Sequence, residues 1–254
     1  MSSFPILEKW RNSQPTVNVF LRIPNSWVAE LVSQLDIDAV TLDLQHGLVE
    51  LESALPMLQA INKEKFPMVR IAANDPAAIM KLLDIGAKGI ICPLINTRAE
   101  AEKFVQACYY PPKGYRSFGP LRANLPARAT YLQDYHNDIV TFAQIETKES
   151  LDNLEDIAAT KDLTGLYVGP YDLSISLGMT KVADFSDAGF MEHIKRILAV
   201  AKKHKLLTAI QAYKEEDAAM LANMGFNVVT PVDESATLVQ GVKDKVERVR
   251  SKFK

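Results

Sequence analysis

Short apolar segments alternate along the chain with segments in which apolar residues recur at the three- to four-residue spacing of a helix. The apolar segments read as strands, and eight of them are present. The predicted strands cover residues 16–22, 39–43, 67–71, 89–93, 139–145, 165–168, 206–210 and 227–230. The predicted helices cover residues 26–35, 51–62, 76–85, 97–108, 148–159, 171–177 with 190–203, 215–224 and 235–252.

The predicted strands are apolar almost throughout, which is typical of a parallel sheet covered by helices. Eight consecutive βα units favour a closed (β/α)₈ barrel, a TIM barrel of the α/β class. A doubly wound open sheet would be expected to carry a glycine-rich turn after its first strand, and residues 22–25 (RIPN) are not one. We therefore predict a single barrel domain over residues 1–254, with a short N-terminal helix at about residues 5–11 closing its bottom.

Composition and charge exclude several classes of function. The 254 residues carry 29 basic and 31 acidic side chains, a formal net charge of −2. The chain therefore lacks the excess positive charge typical of nucleic-acid-binding proteins. The apolar runs are too short to cross a membrane, and the N-terminal residues lack the pattern of a secretory signal. The expectation is a soluble cytoplasmic enzyme.

One connection is longer than the short loops usual in barrels. Residues 110–137 separate the fourth main helix from the fifth strand and contain Lys113, Arg116, Arg122 and Arg128. Loops of this length in compact domains are usually functional. The segment is either a solvated excursion or a lid or subunit contact.

Polar and charged residues follow the predicted strands at their carboxyl ends, where barrels of this type build their active sites. Asp43 and His46 follow the second strand, Arg70 ends the third, Glu146 follows the fifth, Asp172 follows the sixth and Asp233 follows the eighth. One such residue could be structural, but a set that converges on one face indicates a site.

Arg70 and Asp43 are expected to form a pair. A guanidinium at the end of an apolar strand needs a carboxylate partner or an anionic ligand, because burying its charge alone is costly. Asp43 ends the neighbouring strand and would orient the arginine. His46, taken by itself, is more often a hydrogen-bonded structural residue than a catalyst.

Glu146 and Asp172 would meet at the mouth of the barrel. Both precede helical segments, so they could be helix-capping acids. Two carboxylates brought close together repel each other unless a cation or a proton lies between them, which favours a divalent metal site. Oxygen ligands without converging Cys or His indicate Mg²⁺, Mn²⁺ or Co²⁺.

Two observations restrict the chemistry. The chain has no lysine at the carboxyl end of a predicted strand, and the nearest, Lys148, lies in a helix start, so a Schiff-base mechanism lacks its nucleophile. The loops after strands 7 and 8 are poor in glycine, which disfavours a phosphorylated substrate.

Five segments, in order along nearly the whole chain, resemble the HpcH/HpaI family of class II, metal-dependent pyruvate aldolases. They are LDLQHG (42–47), RIAANDP (70–76), YPPKGYRSFGPLRA (110–123), QIET (144–147) and VGPYDLSISLG (168–178).

The resemblance implies a (β/α)₈ barrel assembled as a homohexamer, a trimer of dimers with exchanged C-terminal helices. It implies a divalent metal held by Glu146 and Asp172 and no organic cofactor. Arg70 would bind the keto oxygen of pyruvate, steadied by Asp43.

In the same family pattern, His46 would transfer protons with an acidic partner, and Asp84 stands at the position of that partner. Asp84 lies near the end of a helix that runs antiparallel to its strand, so it could reach only the His46 of a neighbouring subunit. Further substrate contacts are expected from the segments around the metal ligands, namely Gln144, Gly169, Pro170 and Tyr171.

The implied activity is reversible cleavage of a 4-hydroxy-2-oxo acid, such as a 2-keto-3-deoxy sugar acid or a related dicarboxylate, to pyruvate and an aldehyde through a metal-stabilised enolate. Tyr171 and Arg22 replace smaller residues found in relatives, which leaves the aldehyde undefined. The alternatives are an oxaloacetate-type decarboxylase or a CoA-thioester lyase on the same scaffold, or a non-catalytic protein that binds an oxo acid.

Overall fold

The computed structural model describes residues 4–126 and 129–253, which form a closed barrel of eight parallel strands paired in chain order. The predicted (β/α)₈ fold is thereby confirmed. The strands are β1 (Thr16–Leu21), β2 (Ala39–Asp43), β3 (Phe66–Arg70), β4 (Gly89–Cys92), β5 (Val140–Ile145), β6 (Gly165–Val168), β7 (Leu207–Gln211) and β8 (Val228–Asp233).

Helices alternate with these strands, and most of them pack around the outside of the barrel. They are α1 (Pro5–Arg11), α2 (Ser26–Ser33), α3 (Leu51–Ala60), α4 (Pro76–Asp84), α5 (Arg98–Cys108), α6 (Tyr131–Asp134), α7 (Lys148–Asp152), α8 (Leu154–Ala158), α9 (Pro170–Ser176), α10 (Ala188–Lys203), α11 (Glu215–Met224) and α12 (Glu234–Arg250). Within the described residues, no helix has both the length and the apolar character needed to cross a lipid bilayer.

The eighth strand is longer than predicted, since it continues past Thr230 to Asp233. Pro231 cannot donate a backbone hydrogen bond and therefore looked like the end of a strand. The pairing with β1 shifts between Val17 and Val19, where β8 carries one extra residue. This bulge accommodates the proline and delivers Asp233 to the mouth of the barrel.

The helix predicted over residues 148–159 is divided into α7 and α8. Asn153 lies between them with φ −95° and ψ 12°, outside the helical region. Its side-chain amide donates a 2.9 Å hydrogen bond to the carbonyl of Asn96. A short polar side chain that bonds to a nearby backbone group competes with the helix in this way.

The interior of the barrel is filled by side chains rather than open. Phe20, Phe66, Phe142 and Tyr167 form its centre, and α1 covers the amino-terminal end. Trp10 of α1 is part of the same cluster. Its ring lies 5.4 Å from that of Phe66 and 6.5 Å from that of Phe142, and its indole N–H donates to the Thr16 hydroxyl at 2.9 Å.

The long connection before β5 folds against the bottom of the barrel. Arg116 is buried there, and its guanidinium lies 4.6 Å from the Tyr110 ring centre. Arg122 donates to the carbonyls of Ile85 and Leu58. The segment runs from the end of a helix to the start of a strand, opposite the carboxyl ends of the strands. That position does not suit a lid over its own barrel, and the subunit contact stays a prediction.

Four cations of that connection were singled out in the sequence. Lys113 pairs with Asp162 at 3.3 Å, whereas Arg128 lies outside the described residues. The segment contains α6 and a short 3-10 helix at Tyr135–Asn137.

Replacement of Trp10 by alanine is predicted to lower the free energy of unfolding by about 3–5 kcal/mol, because a large buried ring is lost from the barrel floor. Trp10 is 5% exposed and Trp27, which serves as the matched control, is 61% exposed. Trp27→Ala should change the same quantity by less than about 0.5 kcal/mol. Urea denaturation of both variants measures the difference, and equal effects would contradict the placement of α1.

Candidate active site

Asp43 and Arg70 form a two-pronged ion pair at the carboxyl ends of β2 and β3, as predicted. The two residues are register partners in the sheet, so the strands deliver their side chains side by side. Arg70 Nε donates to Asp43 Oδ1 at 2.9 Å, and Arg70 Nη2 donates to Asp43 Oδ2 at 2.7 Å. Both residues are buried, and the Arg70 guanidinium lies 4.7 Å from the centre of the Phe20 ring.

Three further donors converge on the Asp43 carboxylate. Arg22 Nε reaches Oδ2 at 3.1 Å, and the backbone N–H groups of Gln45 and His46 reach Oδ1 at 3.2 and 3.3 Å. Burial by itself would raise the pKa of Asp43, but the hydrogen bonds and charge of Arg70, together with these donors, hold it below the ordinary value of 3.8. The residue is therefore ionised at neutral pH and fixed in position.

His46 is exposed in the turn that follows β2. The adjacent Gly47 is required there, because a Cβ atom would lie 2.3 Å from the Asp43 carbonyl oxygen and 2.9 Å from Arg22 Cα. The turn thus binds Asp43 through its backbone and keeps His46 on the same rim as Arg70.

Glu146 is buried directly after β5. Its Oε1 accepts the backbone N–H of Leu94 at 2.7 Å, and its Oε2 accepts Gln144 Nε2 at 2.5 Å. It does not cap the following helix, because Thr147 does so with its hydroxyl. The helix-capping interpretation is therefore wrong for Glu146.

Asp172 comes from the neighbouring unit, in the first turn of α9, and is exposed. Burial raises the pKa of Glu146, and the negative charge of Asp172 raises it further, while hydrogen bonds from Gln144 and Leu94 and the charge of Arg70 oppose the shift. Asp172 and Arg70 therefore act on the same carboxylate. The raised pKa is typical of an acid that faces a like charge in a partly dry site.

Gly169 leaves space for the Glu146 side chain. A Cβ atom on Gly169 would lie 2.7 Å from Glu146 Oε2 and 2.9 Å from Glu146 Cβ, so a larger residue would displace the carboxylate. Pro170 follows as the first residue of α9 and is buried. Tyr171 comes next, with its ring 5.7 Å from that of Tyr213.

The residues around Glu146 fit a hard divalent cation. Gln144 Oε1 is buried and has no hydrogen-bond partner among the described residues, although it sits beside the Glu146 carboxylate. The described part of the chain contains no cluster of three or more His, Cys, Asp or Glu side chains suited to a metal. Two carboxylates and an amide oxygen match an ion that keeps several positions for water and substrate.

Asp84 does not join this group within its own chain. It ends α4, at the opposite face of the barrel, and its Oδ1 accepts Arg116 Nη2 at 2.6 Å. Its backbone carbonyl accepts the N–H groups of Arg122 and Ala123. Asp84 therefore lies at the bottom of its own barrel, as predicted from a helix that runs antiparallel to its strand.

Two contributors, Leu94 and Tyr213, were missed in the sequence. Leu94 takes part only through its backbone N–H, in a turn with φ +53°, which leaves no side-chain signal. Tyr213 and Asp233 reach the rim from β7 and β8, where both bond to Arg22. The sequence places Asp233 after the eighth predicted strand, and the structure brings it to the rim; its ion pair with Arg22 was not predicted.

The structure thus brings two acids, Glu146 and Asp172, and a carboxylate-held arginine, Arg70, to the mouth of a closed barrel. The chain matches the family model described as HpcH/HpaI aldolase/citrate lyase over residues 17–232. The chain belongs to this family.

Curated relatives agree over most of their length. The chain is 35% identical to a hydroxypyruvate/pyruvate aldolase of Rhizorhabdus wittichii, over 95% of this chain and 97% of that protein. It is 31% identical to a 5-keto-4-deoxy-D-glucarate aldolase of Escherichia coli, over 85% of each chain. A solved HpcH/HpaI aldolase/citrate lyase family protein from Burkholderia cenocepacia aligns with a TM-score of 0.88 and 25% identity, over 96% of this chain and 98% of its own. The family and these names confirm the predicted enzyme class, a carbon–carbon lyase.

Replacement of Asp43 by asparagine is predicted to lower the free energy of unfolding by about 3–5 kcal/mol at pH 7, because it leaves Arg70 buried without its counter-charge. The folded-state pKa of Asp43 is lowered. The stability that ionised Asp43 gives to the folded state is therefore fully present above its ordinary pKa. It is lost as the pH falls through the lowered folded-state pKa. Denaturation from pH 7 down to acid should show the difference between wild type and Asp43→Asn shrinking.

The control for this prediction is Asp152→Asn, because Asp152 forms an exposed pair with Lys148. Its effect should stay below about 1 kcal/mol at pH 7. A constant difference between Asp43→Asn and wild type down to the lowest pH would contradict the role of the ionised carboxylate.

Proposed function

We propose that this enzyme cleaves a 4-hydroxy-2-oxo acid reversibly to pyruvate and an aldehyde, with the help of a divalent metal. The observation that carries the proposal is the arrangement of Arg70, held by Asp43, opposite the paired acids Glu146 and Asp172 at one barrel mouth. A site of this kind stabilises negative charge that develops on a bound oxo acid. The names of the curated relatives, a hydroxypyruvate/pyruvate aldolase among them, support pyruvate as one product.

Glu146 and Asp172 would hold the metal, with Gln144 Oε1 beside them. When bound, a divalent ion supplies Lewis-acid stabilisation of the negative charge on the keto oxygen. Mg²⁺, Mn²⁺ and Co²⁺ all suit these oxygen donors.

Arg70 would bind and polarise the keto oxygen of the substrate. Its two bonds to Asp43 use Nε and Nη2, which leaves the N–H donors of Nη1 for a ligand. Because Asp43 fixes the guanidinium, little reorganisation is needed when negative charge appears on the substrate.

His46 would accept the proton of the C4 hydroxyl. As that proton leaves, the C3–C4 bond breaks, its electron pair stays on the three-carbon fragment as the enolate of pyruvate, and C4 becomes the aldehyde carbon. The protonated His46 then returns this proton, directly or through water, to C3, which yields pyruvate and restores the neutral base. In the reverse direction His46 returns the proton to the new hydroxyl.

The described residues at this mouth give no support for a Schiff base. Lys148, the lysine next to Glu146 in sequence, is exposed and pairs with Asp152 at 2.6 Å. An enolate stabilised by charge explains the site without a covalent amine intermediate.

The assembly is proposed as a homohexamer, a trimer of dimers with exchanged C-terminal helices. In α12 an apolar stripe is exposed, and Glu234 is the residue that the described chain buries. The stripe consists of Leu238, Val239, Val242, Val246 and Val249. Another copy of the chain would cover it and would bring an Asp84 towards His46.

Loss of the Arg70 guanidinium is predicted to lower kcat/KM for aldol cleavage by about 100-fold or more, the cost of losing a preorganised charge donor. Arg70→Lys should recover part of the rate, because lysine keeps the positive charge but lacks the paired N–H donors of the guanidinium. The matched control is Arg98→Ala, since Arg98 forms an exposed pair with Glu102. Near-normal turnover by Arg70→Ala with metal present would refute the role.

His46→Ala distinguishes cleavage from decarboxylation. Aldol cleavage should fall by about 100-fold or more, because the C4 hydroxyl loses its base. Oxaloacetate decarboxylation should survive, since that reaction has no C4 hydroxyl proton to remove. Parallel assays of pyruvate formation measure both, and equal losses would contradict the assignment.

Glu146→Gln is predicted to weaken Mn²⁺ binding at least tenfold, because one of two carboxylate ligands becomes neutral. Calorimetric titration of Mn²⁺ into wild type and variant measures the change. Glu149→Gln, on the exposed face of α7, should bind Mn²⁺ as wild type does. Unchanged binding by Glu146→Gln would place the metal elsewhere.

The double substitution Val239→Asp with Val242→Asp is predicted to dissociate the hexamer, because charge on the stripe opposes its burial. Analytical ultracentrifugation measures the mass. Asp244→Lys changes the charge on the opposite face of α12 and should leave the assembly intact. A wild-type monomer would contradict the proposed assembly.

A further inference from the structure

A second arginine, Arg22, occupies the rim of the barrel directly after β1. Its Nε donates to Asp43 Oδ2 at 3.1 Å, and its Nη2 donates to the Tyr213 hydroxyl at 3.3 Å. Its Nη1 forms an ion pair with Asp233 Oδ2. The guanidinium therefore joins the ends of β2, β7 and β8.

The backbone around Arg22 is also held in place. The N–H groups of Arg22 and Ile23 both donate to Glu234 Oε1 at 2.7 Å. The Arg22 carbonyl accepts the Leu48 N–H at 2.9 Å. A side chain anchored at both its backbone and its head is preorganised for a ligand.

Arg22 lies next to the group that would hold the keto oxygen. Asp43 Oδ2 accepts both Arg22 Nε and Arg70 Nη2, so the two guanidinium groups flank one oxygen atom. The side chain of Arg70 is 3% exposed and that of Arg22 is 27% exposed. Arg22 is therefore the outer of the two, on the side from which a second reactant would enter.

The guanidinium keeps donors for a ligand. An arginine has five N–H groups, and the bonds to Asp43, Asp233 and Tyr213 use one on each nitrogen. One N–H remains on Nη1 and one on Nη2. Asp43 and Asp233 together balance the charges of Arg22 and Arg70, so the exposed donors suit a neutral oxygen better than a carboxylate.

Aromatic side chains continue this side of the rim towards the metal-binding acids. Tyr213, whose hydroxyl also accepts Gln211 Nε2 at 2.8 Å, lies 5.7 Å from the Tyr171 ring, centre to centre. Tyr171 directly precedes Asp172. Arg22, Tyr213 and Tyr171 thus form a continuous wall beside the place where the keto acid would bind.

We propose that Arg22 is a specificity-determining residue that donates hydrogen bonds to the hydroxyl oxygen of a short, uncharged hydroxyaldehyde. The proposal rests on the aldolase function proposed above and names the class of its second substrate.

The test compares three two-carbon acceptors of similar size, each with pyruvate and Mn²⁺. Glycolaldehyde carries the hydroxyl, acetaldehyde lacks it, and glyoxylate carries a carboxylate in its place. We expect wild type to favour glycolaldehyde. Arg22→Met should lower the ratio of kcat/KM for glycolaldehyde over acetaldehyde at least tenfold, and Arg22→Lys should lower it less.

The ratio does not depend on the fraction of folded enzyme, so partial misfolding of a variant does not affect the result. Arg196→Met, which removes an exposed arginine from α10, is the matched control and should leave the ratio unchanged. An unchanged ratio in Arg22→Met, or a loss confined to glyoxylate, would overturn the inference while leaving the aldolase function intact. No pyruvate consumption by wild type with any acceptor would reject the proposed function itself.

Discussion

The buried carboxylate of Asp43 is the group on which the polar half of the barrel mouth depends. Two arginines and two backbone N–H groups donate to its oxygens. A buried guanidinium such as that of Arg70 is tolerated only with a partner of this kind. Asp43 thereby neutralises the buried charge of Arg70 and fixes its guanidinium as a hydrogen-bond donor for a substrate.

The other half of the barrel mouth is acidic, because it carries Glu146 and Asp172. Register pairing of β5 with β6 brings Glu146 and Gly169 together, and the missing side chain of Gly169 leaves space for the carboxylate. Burial and the nearby charge of Asp172 then raise the pKa of Glu146. A site with excess negative charge on one wall and a positive donor on the other is suited to a cation and an oxo acid bound together.

Much of this arrangement could be predicted from the sequence, because the carboxyl ends of parallel strands meet at one face. The pairing of Arg70 with Asp43 follows from that rule, because the two residues end neighbouring strands. Contacts through backbone atoms, such as the Leu94 N–H on Glu146, leave no trace in residue types. The network around Arg22 was also hidden, because it depends on a bulge that carries β8 past Pro231 to Asp233.

The most direct test of the central claim is a crystal structure of the enzyme with Mn²⁺ and oxalate, a planar dianion that resembles the enolate of pyruvate. The account predicts Mn²⁺ bound by carboxylate oxygens of both Glu146 and Asp172 at about 2.0–2.3 Å. It also predicts an Arg70 N–H on an oxalate oxygen while Asp43 still holds that guanidinium. Mn²⁺ at other residues, or oxalate bound away from Arg70, would contradict it.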